Sequence, residues 1–251
     1  MRLVSVKNKF GEVLVGFEVK PTVKKPIYPT VVLVHGFGDT KEESGKFTDL
    51  AKILASEGFC VYAFDFSGRG QSGGDYSETT LTKLVSDLDV VWQYVVSRKH
   101  VDRGRIGVVG QSFGTTVVVA LNPSAKCLVL AGSIAHPKER LSKLFGEGYD
   151  PNGVSVRIKR DGSETRVKPQ FWADFKKYDI PKLASKIKTQ VLFIHGLKDD
   201  KIPVSEAKCL YSRVKGPKQL KLLDMDHGWQ PDHKSVYAEI VSYLKIALKK
   251  G

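Results

Sequence analysis

Ser112 stands between Gly110 and Gly114 in the stretch VVGQSFGTT, residues 108–116. Small residues on both sides of a serine fit a chain that turns abruptly from strand to helix and pushes the hydroxyl out of the fold. A serine hydroxyl attacks a carbonyl poorly unless a base takes its proton, and an imidazole with a pKa near ~6.5 suits that task at neutral pH. A carboxylate must then hold the imidazole in the correct tautomer. Asp199 in HGLKDDKIP and His227 in LLDMDHGWQ supply both, in the order Ser, Asp, His. The 28-residue step from Asp199 to His227 leaves room for one helix and one strand, returning the chain to the same edge. The chemistry of such a set is acyl transfer.

Rival residues are close by. Asp200 adjoins Asp199, but Asp199 holds the position three residues after the strand-ending Gly196. His233 falls at the start of the last helix pattern, and His136 precedes the acid. His35-Gly36-x-x-Asp39 repeats the spacing of His195-Gly196-x-x-Asp199, yet Asp39 comes before the serine and reads as a loop or helix-start residue. His35 and His195 read as groups that stabilise loop ends. Asp65 and Arg69, in DFSGRGQSGG, read as a turn-organising pair.

These residues need a scaffold that gathers them at one edge. Residues 2–6 and 12–19 alternate around Asn8-Lys9-Phe10-Gly11 and predict a hairpin. Short apolar runs follow at 30–34, 60–64, 105–109, 127–131 and 191–194, with a weaker one at 220–223. Their continuity fits strands buried on both faces. Amphipathic patterns lie between them, at KFTDLAKILASEG, TLTKLVSDLDVVWQYVVSR, SFGTTVVVAL, PVSEAKCLYSRV and KSVYAEIVSYLKIALKK. Alternating strands and helices predict an α/β fold with a mainly parallel, twisted sheet covered by helices on both faces. Function in such a sheet collects beyond the carboxyl ends of the strands, where the candidate residues lie. The interval between Ala131 and Val191 is too long for a simple crossover. Within it GVSVRIKRDGSETRVK alternates around Asp161-Gly162, a hairpin signal, and PQFWADFKKYDIPKL follows. Residues 134–182 are therefore expected to form a small inserted cap after the sixth strand, with a hairpin and a short helix, on a single domain spanning 1–251.

Composition narrows the function classes. The net charge of +13 could suit phosphates, but pairs such as Lys24-Lys25, Lys176-Lys177 and Lys249-Lys250 are dispersed, with no long basic run, so no nucleic-acid partner is expected. No stretch approaches the ~20 apolar residues of a membrane span, and the amino terminus lacks the apolar run of a signal peptide. Cys60, Cys127 and Cys209 are an odd, scattered set that argues against a disulfide framework or a C-x-x-C metal site and favours a reducing cytoplasm.

Taken together, HGFGD, DFSGRGQSGG, GQSFG, HGLKDDKIP and MDHGW, in that order, resemble the α/β-hydrolase superfamily, specifically its compact serine esterases of the feruloyl or cinnamoyl type with an inserted cap. The resemblance covers about residues 11–248. It implies Ser112 as nucleophile, His227 as base and Asp199 as acid. With the local geometry, it also implies an oxyanion hole from the backbone N–H groups of Phe37 and Phe113, with Gly36 permitting close approach. Phe37 stands where other members carry a glycine, so its side chain is expected to wall the acyl pocket. Phe171 and Trp172, the largest apolar residues of the cap, are expected to contact substrate, although Trp172 reads almost equally well as a core anchor. The expected activity is hydrolysis of small or aromatic carboxylic esters through an acyl-enzyme, without cofactor or metal. An exopeptidase or amidase using the same residues, and a non-catalytic binding protein of the same fold, are the alternatives; oligomeric state is open.

Overall fold

Every apolar run becomes a strand, and alternate residues of each strand feed opposite cores. The computed structural model describes residues 1–159 and 162–249; Asp161 of the Asp161-Gly162 turn and Lys250 of the terminal lysine pair lie outside the described residues. In chain order the strands are β1 (Arg2–Lys7), β2 (Val13–Val19), β3 (Tyr28–Val34), β4 (Cys60–Phe64), β5 (Val101–Gln111), β6 (Cys127–Ala131), β7 (Ser155–Ile158), β8 (Glu164–Val167), β9 (Gln190–Gly196) and β10 (Lys218–Leu223). The helices are α1 (Lys46–Ser56), α2 (Leu81–Val96), α3 (Phe113–Leu121), α4 (Pro137–Phe145), α5 (Pro169–Asp174), α6 (Ile180–Ala184), α7 (Val204–Arg213) and α8 (His233–Ala247).

On β3, Val31 and Leu33 pack with Phe47, Leu50 and Leu54 of α1 and with Ile240 and Leu244 of α8. Val32 and Val34 face the other way, toward Leu84, Leu88 and Val91 of α2, Val117 of α3 and Leu210 of α7. A period of two on a sheet with both faces covered requires an unbroken apolar run, which is what the sequence carries. Fully burying one such side chain stabilises by ~1.5–3 kcal/mol, so neither face tolerates a polar replacement.

The large sheet runs β1-β2-β4-β3-β5-β6-β9-β10. The pairs β1–β2 and β2–β4 are antiparallel, and every pair from β4 to β10 is parallel. The chain passes from β3 outward to β4 and then returns to β5 on the other side. The strand order therefore reverses at β3, and a crevice opens beyond the carboxyl ends of β3 and β5. This arrangement is an α/β-hydrolase fold.

The segment between β6 and β9 holds more helix than the sequence suggested. The hairpin β7–β8 forms as expected from its alternation, but α4, α5 and α6 stand where one short helix was expected, and α6 runs to Ala184. Helices α5 and α6 span 6 and 5 residues, too few to display a 3.6-residue period. Each begins with a proline in its first turn, as does α4, where the ring pre-sets φ and the missing N–H has no partner to lose. Buried carboxylates tie the segment down. Asp174 accepts from the backbone N and Oγ1 of Thr82 at 2.7 and 2.9 Å, at the first turn of α2. Glu206 accepts from the N–H groups of Ala135 and His136, both at 2.8 Å.

Candidate active site

Strand β5 ends at Gln111, and the next residue takes φ 52° and ψ −122°, in the positive-φ region that non-glycine residues avoid. Holding Ser112 there costs ~1–3 kcal/mol, offset by its surroundings. Its N–H donates to Ala131 O at 2.8 Å, and its carbonyl accepts from Thr115 N at 2.9 Å. Gly114 lets α3 lie on the end of β3: a Cβ there would stand 2.3 Å from Val34 O and 2.6 Å from His35 O. The Ser112 hydroxyl is thereby presented to a cavity of about 410 Å³.

Three side chains from three strand ends meet here, Ser112 and His227 in the cavity wall and Asp199 buried behind them. Ser112 Oγ lies 2.9 Å from His227 Nε2, and His227 Nδ1 lies 2.7 Å from Asp199 Oδ2. The Asp199 side chain is 1% exposed, and its other oxygen accepts from Lys201 N at 3.0 Å and Ile202 N at 2.8 Å. Burial opposes ionisation of Asp199. The hydrogen bond and charge of His227 and the Ile202 N–H outweigh it and hold the carboxyl below its ordinary value. An ionised Asp199 accepts only, so His227 carries its proton on Nδ1 and offers the Nε2 lone pair to the serine O–H. Behind the imidazole, a Cβ at Gly132 would stand 3.2 Å from His227 Cε1, and Gln111 Nε2 donates to the His227 carbonyl at 3.3 Å.

The rivals lie elsewhere. Asp200 is exposed. His233 opens α8 and packs edge-on against Tyr237, while His136 pairs with Glu206 at 3.0 Å. Asp39 lines the cavity, but its carboxylate accepts from Thr40 N at 2.8 Å and Ser44 Oγ at 3.0 Å. His195 donates from Nε2 to Ile202 O at 2.8 Å, bracing the loop that carries Asp199; burial lowers its pKa and keeps it neutral. His35 spans Gly36 O and Phe66 N at 2.9 and 3.1 Å and is likewise lowered by burial. The Asp65–Arg69 pair is corrected. Asp65 takes its cation from Lys41 at 2.8 Å, whereas Arg69 reaches the carbonyls of Gly38 and Asp39.

The amides of Phe37 and Phe113 flank the serine, one beyond β3 and one opening α3, and neither N–H donates in any hydrogen bond found among the described residues. Gly36 lies within the same wall, and a Cβ there would stand 3.3 Å from Ser112 Cβ. Phe171 and Trp172 do not line the cavity with Ser112. Both are fully buried in an aromatic cluster in which Phe171 backs Phe37 and Phe113 at 5.4 and 6.1 Å. Trp172 packs on Phe145 and Tyr149 and donates to Ser155 Oγ at 2.8 Å. They support the site from behind; their size signalled burial, which carries no information about the cavity.

Sequence reasoning also passed over Glu43, Tyr76 and Arg157. Tyr76 OH accepts from Gly38 N at 3.0 Å, and Glu43 Oε2 accepts from Gly36 N at 2.6 Å, so the loop after β3 is held from two sides. Burial, reinforced by Asp39, pushes the Glu43 carboxyl up to about 7 from 4.5. Between those values the unfolded chain has released a proton that the folded chain retains, so stability falls as pH rises through that window. Glu43→Gln keeps an acceptor for Gly36 N–H and removes the titration. Its melting temperature relative to the parent is therefore expected to rise by several degrees between pH 5 and pH 8, read by calorimetry. An identical difference at both pH values would contradict this. Away from the cavity, Glu18, Cys60 and His100 bring possible metal ligands within 4.8 Å, but Glu18 is already met by Arg2 at 2.8 Å and His100 at 2.7 Å.

Residues 25–151 match the family model described as serine aminopeptidase, S33. The chain belongs to this α/β-hydrolase family. Relatives include the putative esterase YitV of Bacillus subtilis, 25% identical over 242 residues that make up 90% of this chain and 91% of that protein. Alpha/beta hydrolase domain-containing protein 17C of Mus musculus is 30% identical over 185 residues, 74% of this chain; the match spans about half of that relative, 49%. Est1E from Butyrivibrio proteoclasticus, solved with ferulic acid bound, superposes with a TM-score of 0.86 at 19% identity, covering 98% of this chain and 100% of that one. At that identity the likeness carries the hydrolase fold. No helix among the described residues is long and apolar enough to cross a membrane.

Proposed function

We propose that the chain is a serine hydrolase of carboxylic esters, with Ser112 as nucleophile, His227 as general base and acid, and Asp199 as the group that orients the imidazole. The observation that carries this reading is the continuous hydrogen-bonded chain from Ser112 Oγ through His227 to the buried Asp199. His227 Nε2 takes the hydroxyl proton as Oγ attacks the ester carbon. The developing oxyanion is received by the N–H groups of Phe37 and Phe113, a kind of contact worth ~100- to 1000-fold in rate. His227 returns the proton to the leaving alcohol, and water repeats the sequence to free the acid.

The chain is one hydrolase domain in this reading, and residues 134–182 act as its cap. Leu141, Leu144 and Arg157 of that segment line the cavity with Ser112, Ile134 and Phe37. A volume of about 410 Å³, with Phe37, Ile134, Leu141, Leu144 and Ile202 forming the apolar part of a mixed wall, suits short or aromatic acyl groups, in keeping with the ferulic acid in Est1E. Cys60, Cys127 and Cys209 are free, which supports a reducing cytoplasm as the working compartment.

The description of the family model favours a second reading, an aminopeptidase. Recognition of a free α-amino group calls for available carboxylates, and those in this wall, Asp39 and Glu43, are already engaged by Thr40, Ser44 and Gly36. A panel of p-nitrophenyl esters of increasing chain length, aromatic-acid esters and aminoacyl anilides separates the two. Ester kcat/KM is expected to exceed that of the anilides by at least ~100-fold, about 3 kcal/mol in barrier. Faster cleavage of aminoacyl anilides would replace the esterase reading with the peptidase one.

A further inference from the structure

The cavity wall that holds Ser112 also carries an unusual excess of positive charge, with Lys46, Arg157, Lys159 and Lys201 facing Asp39 and Glu43. Lys46 is committed: it lies 3.6 Å from Glu43 and 5.2 Å above the Trp229 ring. Asp39 and Glu43 are committed too, to Thr40, Ser44 and Gly36. Lys159 gives one of its three N–H groups to Gly38 O at 3.0 Å, which sets its ammonium over the loop that carries Phe37. Lys201 is exposed to water, and Arg157 differs from all of these in being both unpaired among the described residues and partly buried. It projects from β7 into the wall, partly buried, and among the described residues its guanidinium has neither a hydrogen-bonded partner nor a carboxylate within ion-pair distance.

A guanidinium partly withdrawn from water without an acceptor lowers stability, and the charge of Asp39, beyond ion-pair distance, offsets the loss only in part, since burial still lowers the Arg157 pKa. The Tyr76 ring nearby already holds Arg69, at 5.1 Å from its centroid. Burial lowers the Arg157 pKa only against a very high starting value, so the group stays charged. What it lacks is an anion in direct contact, and the space in front of it is the space in which the ester must lie.

We propose that the substrate is an anionic ester whose carboxylate, at the end away from the scissile bond, is bound by Arg157 with help from Lys159. A planar carboxylate matches the paired N–H groups of a guanidinium. The inference rests on the hydrolase reading above for the word ester, but the anion site stands on Arg157 itself.

Two measurements keep those claims apart. In the first, p-nitrophenyl hemiglutarate, with its charge on the acyl side, is compared with neutral p-nitrophenyl pentanoate, and acetylglycolate, with its charge on the alcohol side, with ethyl acetate. The expected result is an anion-to-neutral ratio of kcat/KM that falls ~10- to 100-fold in Arg157→Gln for at least one pair, with partial recovery in Arg157→Lys. In the second, binding of monomethyl glutarate and of dimethyl glutarate is measured by calorimetry on Ser112→Ala, which needs no turnover. The monoanion is expected to bind at least ~10-fold tighter, and the advantage is expected to vanish when Arg157→Gln is added. If Arg157→Gln fails to fold, the anion preference of Ser112→Ala and its partial reduction in Arg157→Lys decide the matter. Equal binding of monoanion and neutral diester overturns the anion site even if esters are cleaved. Tight, Arg157-dependent anion binding without turnover of any ester leaves the site and overturns the hydrolase reading instead.

Discussion

Ser112→Ala is expected to lower kcat for a p-nitrophenyl ester by about a million-fold, the scale of loss when the nucleophile of a serine–histidine–aspartate set is removed. The variant should nevertheless fold. Ser112 contributes to the corner through its backbone, whose N–H donates to Ala131 O and whose carbonyl accepts from Thr115 N, and alanine keeps both bonds. The hydroxyl makes one hydrogen bond, to His227 Nε2 at 2.9 Å, worth about 1 kcal/mol net. Alanine at φ 52° carries the same backbone strain as serine, so the native turn is not relaxed by the change. A shift of ~2–4 °C in melting temperature is the most that such a loss allows in a chain of this size. Steady-state kinetics beside a thermal scan check both halves. Turnover within ~10-fold of the parent would remove Ser112 from the chemistry, because no proximity effect leaves so much activity without a nucleophile.

Asp199→Asn should lower kcat by up to ~10,000-fold while Asp200→Asn stays near the parent. The buried carboxylate of Asp199 accepts from His227 Nδ1 at 2.7 Å and so fixes the proton on that nitrogen. An asparagine can turn its NH2 toward Nδ1, which then accepts, and the imidazole proton moves to Nε2, facing the serine with a donor where a lone pair is needed. Asp200 is exposed and meets none of these groups. The effect also has a pH signature. Because the Asp199 pKa is held below its ordinary value, the contribution of its ionised carboxylate to stability is complete above that value and is lost as pH falls through the lowered one. Asp199→Asn should therefore be less acid-sensitive than the parent in melting temperature. A near-silent Asp199→Asn beside a crippled Asp200→Asn would show that the neighbouring carboxylate orients the imidazole.

Strands that feed two cores need residues such as Val31, Val32, Leu33 and Val34 in succession, so β3 to β6 and β9 were legible as runs. The corner at Ser112 was legible because only a glycine at position 114 lets α3 approach Val34 O and His35 O. The parts that escaped lack a local signature. Helices α5 and α6 are shorter than two turns of repeating pattern. The expected Asp65–Arg69 pair failed because Lys41, 24 residues upstream of Asp65, reaches it first. Glu43 meets Gly36 seven residues away, with positive φ at both Glu43 and Ser44, a path that no spacing rule traces. Lys159 meets Gly38 across 121 residues, so the charge of the cavity wall is visible only in three dimensions. Phe171 and Trp172 show the limit of size as a guide: large apolar side chains find the interior, and here the interior lies behind the loop that faces the substrate.

An acyl-enzyme at Ser112 is the step on which everything else depends, and a fluorophosphonate reports it without assuming a substrate. The reagent phosphonylates a serine only where a base has activated the hydroxyl and the new oxyanion finds donors. Intact-protein mass spectrometry followed by peptide mapping is expected to show a single adduct on Ser112, absent from Ser112→Ala and formed far more slowly in His227→Ala. An adduct on another residue, or esters turned over by a protein whose Ser112 stays unmodified, would contradict the account.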